Sequence, residues 1–168
     1  MHPHVPPTML WHGEGKRLGL HEPEGTLMNG ITLTQANTII EAALATARAK
    51  KYSPMAVVVL DESGNVRALQ REDGASMFRV DIATGKAWAS VAMGTSSRKL
   101  GERAKDNPNF YGALAASSHG KFLPQSGAAL IKSADGHVLG AAGASGGSGD
   151  EDELICIAGI EAAGLQHA

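Results

Sequence analysis

Aromatic side chains are scarce in this chain, at 4 % of 168 residues. With few large rings, the interior has to close through small and aliphatic groups, and the 21 glycines suit close contact between elements or subunits. Cysteine is nearly absent too. A lone Cys156 excludes an internal disulfide, and its place in an apolar helical stretch reads as a small buried hydrophobe, not a nucleophile. Neither sign of charge dominates: 15 basic and 17 acidic residues leave a net charge of −2. That balance argues against nucleic acid or an anionic membrane surface as the main partner. No apolar run reaches the ~18 residues of a membrane span, and the N-terminus has no signal-type apolar segment. The cytoplasm is the expected location.

What is present is organised around residues 128–164. Asp135-Gly136 between two apolar runs is a hairpin signal, because glycine accepts the positive φ of the turn. The returning strand, Val138 to Ala144, is rich in Gly and Ala, so another backbone or a ligand can approach it. Ser148 with Glu151 has the spacing of a capping box, and a helix follows. Leu154, Ile155, Ala158, Ala162 and Leu165 are expected on its packed face. The acids Asp150 to Glu153 are expected to be a solvated helix start, favourable against the helix dipole.

Residues 1–30 carry four of the seven prolines and four of the seven histidines, a composition that makes no core of its own. This extension is expected to dock on the domain of residues 31–168 or on a neighbouring subunit, through Val5, Met9, Leu10, Trp11, Leu18 and Leu20. Thr32 and Gln35 form a second capping box, and Ala36, Ile39, Ile40, Ala43, Leu44 and Ala47 trace one apolar helical face. A strand from Met55 to Leu60, a turn at Asp61–Asn65 and a strand from Val66 to Gln70 make a first hairpin. Helices are expected from Ser76 to Met93 and from Ser96 to Lys105, the latter closed by Pro108. Residues 109–124 read as mixed. Two hairpins without strand-helix-strand alternation mean an antiparallel sheet with helices packed on it, the α+β class.

The order of short motifs resembles the GlcG/HbpS family, the haem-binding or "haem-degrading domain" family that includes the C-terminal domain of PduO-type proteins. The motifs are Leu33-Thr34-Gln35-Ala36, Asp61 to Gly64, Arg71-Glu72-Asp73-Gly74-Ala75, Gly85-Lys86-Ala87, Phe122-Leu123-Pro124, Gly140 to Gly147 and Asp152-Glu153. The resemblance implies a profilin-like α-β-α sandwich with a five-stranded antiparallel sheet, assembled as a dimer or a larger even-numbered homo-oligomer. It also implies binding of haem or iron in some members, and a setting in small-molecule catabolism. The chain departs from the pattern at Gln125-Ser126, where many members have Gly-Gly, and in the extension of residues 1–30.

The glycine spacing in 140–149 is not that of a dinucleotide loop, and the acids after it would repel a phosphate. Lys86, flanked by apolar residues, either snorkels from an interface or supplies a cation or a desolvated amine to a ligand. His119 is the chosen haem-iron ligand or general base, since imidazole ligates iron and titrates near neutrality. His2, His4, His12 and His21 match no standard metal spacing. The expected binding site gathers Arg71, Lys86, His119, Phe122, Gly143, Ser145 and Gly146 around haem or a similar acidic small molecule. The alternative is a cofactor-free enzyme, an imine hydrolase, deaminase or isomerase acting on an unsaturated oxo-acid, with His119, Lys86 and Asp73 catalytic. A third reading is an assembly subunit without a small-molecule site.

Overall fold

A computed structural model describes residues 30–168. The expected docking of the extension through Trp11 and its neighbours lies outside the described residues, as do His2, His4, His12 and His21. The elements in order are α1 (Leu33–Ala49), β1 (Ala56–Asp61), β2 (Val66–Arg71), α2 (Phe78–Met93), α3 (Ser97–Asp106), α4 (Pro108–Ser117), β3 (Ala128–Lys132), β4 (Val138–Ser145), α5 (Gly149–Ala162) and β5 (Gln166–His167).

The strands form one antiparallel sheet in the order β2-β1-β4-β3-β5. Strand side chains alternate between faces, so β1 sends Val57 and Val59 to one layer and Val58 and Leu60 to the other. Helices α1 and α5 pack on the first face, where Ile39, Ile40, Leu44, Ile155 and Ile160 build the larger core. Helix α2 lies on the second face and meets the sheet mainly through Ala83 and Ala87. Leu100, Tyr111 and Phe122 form a third cluster against Ala89 of α2. The architecture is the expected α+β sandwich with a five-stranded antiparallel sheet.

Local signals explain much of this. Both capping boxes form: Thr32 accepts from the Gln35 N–H, Ser148 accepts from the Glu151 N–H, and each third residue reaches back. All six apolar positions expected on the α1 face are buried. Other expectations need correction. Pro108 does not merely close α3; it opens α4, where its missing N–H costs nothing in the first helical turn. Helix α2 runs from Phe78 to Met93, its start within two residues of the expected one. The packed face of α5 is Asp152, Ile155, Cys156, Gly159 and Ile160, whereas Leu154 is exposed. The acidic helix start is therefore not simply solvated.

Candidate functional site

Helix α2 is the axis of the functional surface. Residues Phe78, Arg79, Ile82 and Lys86 face one flank, and Phe78, Asp81, Thr84 and Trp88 face the other. The segment after α4 crosses the helix at Gly85, whose carbonyl accepts the Leu123 N–H at 3.2 Å. A side chain at Gly85 would collide with Leu123 Cβ. This crossing leaves His119, Gly120 and Lys121 on the Trp88 flank and Leu123, Gln125 and Ser126 on the Lys86 flank.

On the Lys86 flank lies a pocket of about 410 Å³, bounded by α2, the 123–126 segment and the 145–149 loop. Lys86 and Asp152 form an ion pair at 2.8 Å, with 7 % and 2 % of their side chains exposed. Lysine also donates to the Ala144 carbonyl at 3.2 Å, and the second oxygen of Asp152 accepts the Gly147 N–H at 3.0 Å. The pair joins α2 on one face of the sheet to α5 on the other, around the end of β4. Such a contact needs space: a Cβ at Gly127 would sit 2.6 Å from Lys86 Nζ. Removing either partner strands a buried charge, at a cost of about 3–5 kcal/mol.

The neighbouring acids are likewise engaged. Arg98 contacts Glu153 through Nε at 2.6 Å and Asp150 through a terminal nitrogen. Those contacts, Glu153 first, raise the guanidinium further above its ordinary value. Glu151 accepts the Ser148 N–H at 2.7 Å. The N–H groups of Gly147 and Ser148, which a phosphate would need, are thus taken by the chain's own carboxylates. Cys156 lies beneath this network; burial first, then the charge of Asp152, pushes its thiol up, so it stays protonated.

On the Trp88 flank a cleft of about 560 Å³ is lined by Val66, Phe78, Trp88, His119 and Lys121 together with the β1–β2 turn. His119 is exposed and held at φ +54°, a left-handed conformation that histidine adopts more readily than most residues.

The residues expected at one site are distributed over three. Arg71 and Asp73 line a polar pocket with Arg48, Tyr52 and Glu72, at the α1 side of the sheet end. Arg71 donates to the Ala75 carbonyl, and Glu72 binds Arg48 and the Met55 N–H. Lys86 and Ser145 meet in the pocket on one flank of α2, while His119 occupies the other. Lys86 does not snorkel to solvent; its charge is spent on Asp152. Phe122 is a packing residue between Trp88 and Tyr111. Gly143 and Gly146 admit close neighbours: a Cβ there would lie 2.3 Å from the Ala83 carbonyl oxygen and 2.5 Å from Met55 Sδ. The catalytic set His119, Lys86 and Asp73 therefore shares no common centre. Sequence reading leaves Arg79 aside and takes Asp152 only as part of a motif and of a solvated helix start, although Asp152 falls on the apolar stripe of α5 and Lys86 on that of α2. A charge on a buried stripe demands a partner, which was the available signal. Among the described residues no three His, Cys, Asp or Glu side chains gather to hold a metal ion, and no helix is long and apolar enough to cross a membrane.

The strand order and the clefts along one helix define a class: a single-sheet α-β-α domain suited to holding a small molecule. The chain belongs to the family described as haem degrading protein HbpS-like, whose model matches residues 31–161. It is 26 % identical over 131 residues to an uncharacterized 15.0 kDa protein in the dhaT-dhaS intergenic region of Citrobacter freundii, covering 78 % of this chain and 90 % of that one. It is 30 % identical over 109 residues to the corrinoid adenosyltransferase PduO of Salmonella typhimurium, covering 65 % of this chain but 32 % of that enzyme. The crystal structure of a PduOC:heme complex superposes with a TM-score of 0.73 at 26 % identity, over 82 % of this chain and 97 % of the other.

Proposed function

We propose that this protein binds haem, or a ligand of the same flat, largely apolar and acid-edged kind, in the cleft on the Trp88 flank of α2. The carrying observation is the composition of that cleft: Val66, Phe78 and Trp88 beside an exposed imidazole, His119, and a cationic side chain, Lys121. Apolar walls with a few convergent polar groups are what a small-molecule site requires. His119 ligates the iron, and Lys121 meets a carboxylate at the ligand edge. Family membership and the similarity to a PduOC:heme complex support the choice of ligand. Haemin titrated into the protein should produce a saturable Soret shift. His119→Ala should abolish the shift, and Lys121→Ala should weaken affinity without changing the spectrum. An unaltered Soret band in a folded His119→Ala protein removes His119 from the iron and overturns this reading.

The proposal includes a homo-oligomer in the cytoplasm; for association, though not for location, the support is the exposed Val66, Met77 and Phe78 beside the cleft. Light scattering should then give a mass above that of the 17.4 kDa chain at micromolar concentration. One species at the monomer mass contradicts it.

A further inference from the structure

The pocket on the opposite flank of α2 has a charge balance of its own. Two cations converge there on successive residues at the end of β4. Lys86 reaches the Ala144 carbonyl at 3.2 Å, and Arg79 reaches the Ser145 hydroxyl at 3.4 Å. Asp152 neutralises Lys86. Arg79 is half-buried and has no carboxylate within ion-pair distance among the described residues, since Asp150 and Glu153 are held by Arg98. One positive charge is left over, which fits a monoanion.

The second observation concerns Lys86 itself. An ammonium has three N–H donors. Asp152 and Ala144 accept two of them, and no third acceptor is found among the described residues, although the side chain is only 7 % exposed and lines the pocket. That third N–H is free to take an oxygen that faces it from the pocket, and a ligand oxygen placed there gains a charge-assisted hydrogen bond.

We propose that this pocket binds a small monocarboxylic acid bearing an oxygen on the adjacent carbon, that is, a 2-oxo or 2-hydroxy acid. The carboxylate lies on Arg79 and the Ser145 hydroxyl, and the adjacent oxygen takes the third N–H of Lys86. The pocket volume of about 410 Å³ and its wall of Phe78 and Ile82 leave room for a short apolar tail. This site is separate from the His119 cleft and stands whether or not haem binds there.

Calorimetry on the full chain with pyruvate, lactate and propionate tests it. Pyruvate and lactate should bind about tenfold or more tightly than propionate, because only they offer the oxygen for Lys86. Arg79→Gln, which removes the unpaired charge and one long contact, should fold normally and lose pyruvate affinity about tenfold or more. Amide shifts on adding pyruvate should centre on residues 144–149 and α2, and should be the same in a His119→Ala protein. No saturable pyruvate binding up to about 10 mM, equal affinity for propionate, or unchanged affinity in Arg79→Gln each overturns the proposal. Because His119 lies on the other flank, failure of haem binding and failure of carboxylate binding are read separately.

Discussion

The two faces of the sheet are built to different standards. On the α1/α5 face, Ile39, Ile40 and Leu44 of α1 and Ile155 and Ile160 of α5 interlock over Val57, Val59, Ile131 and Ala142. On the other face, α2 touches the sheet through alanines, and Gly143 lets the helix backbone come down onto β4. Small side chains bring a helix close but do not fill its flanks. The spaces beside α2 open as clefts along the helix, and Phe78 stands 62 % exposed between them; on the other face the clefts lie at the two ends of α1, by Thr32 and Gln35 and by Arg48 and Tyr52. One face holds the fold together, and the other trades packing for access.

The largest test of that contrast is the ion pair that ties the faces to each other. Lys86→Met should lower unfolding free energy by about 3–5 kcal/mol, since Asp152 is left charged and buried. Adding Asp152→Leu should restore most of the loss in urea unfolding. A double variant no better than the single one shows that the helices are held by something other than charge pairing. A smaller pair of effects contrasts the layers directly. Ile39→Ala, in the α1/α5 layer, should cost about 2–5 kcal/mol. Phe78→Ala, on the open side, should change stability by no more than about 0.5 kcal/mol while weakening haemin binding. Comparable losses from both would mean that the open side is core after all.

The smallest effect lies outside both layers, in the β3–β4 turn. The Ser133 hydroxyl donates to Asp135 and holds its carboxyl below the ordinary value of 3.8. Folding thus favours the ionised form, so the carboxylate stabilises the protein above that value. The contribution disappears as the pH falls through the depressed pKa. Asp135→Asn should accordingly be slightly less stable than the native chain at neutral pH and no less stable in strong acid. A difference that grows on acidification contradicts the assignment.

The layered fold was readable where short-range chemistry decides it. Two capping boxes, two hairpin turns and the six buried positions of α1 follow from spacing alone. The site was less readable, because it depends on pairs far apart in the chain. Lys86 and Asp152 are separated by 66 positions, and Arg79 and Ser145 by the same number. No local period reports such a meeting. The face of α5 escapes sequence reading for a related reason: hydrophobicity favours Leu154 over Asp152, whereas the buried aspartate is explained only once its lysine partner is known. His119 was legible as chemistry but not as position, since the crossing at Gly85 decides which flank of α2 it serves.

The packing of α1 against α5 has a consequence for synthesis. The first described helix finds its main helical partner in the last one, and 113 residues separate the end of α1 from the end of α5 (162 − 49). At a translation rate of about 5–20 residues per second, roughly 6–23 seconds pass before that partner has been made. Throughout that interval Ile39, Ile40 and Leu44 have no finished surface to cover them. Strand β1 waits as well, because its neighbour β4 is nearly as late. Folding of this domain therefore waits for the synthesis of α5, and the nascent chain carries an uncovered apolar helix until then.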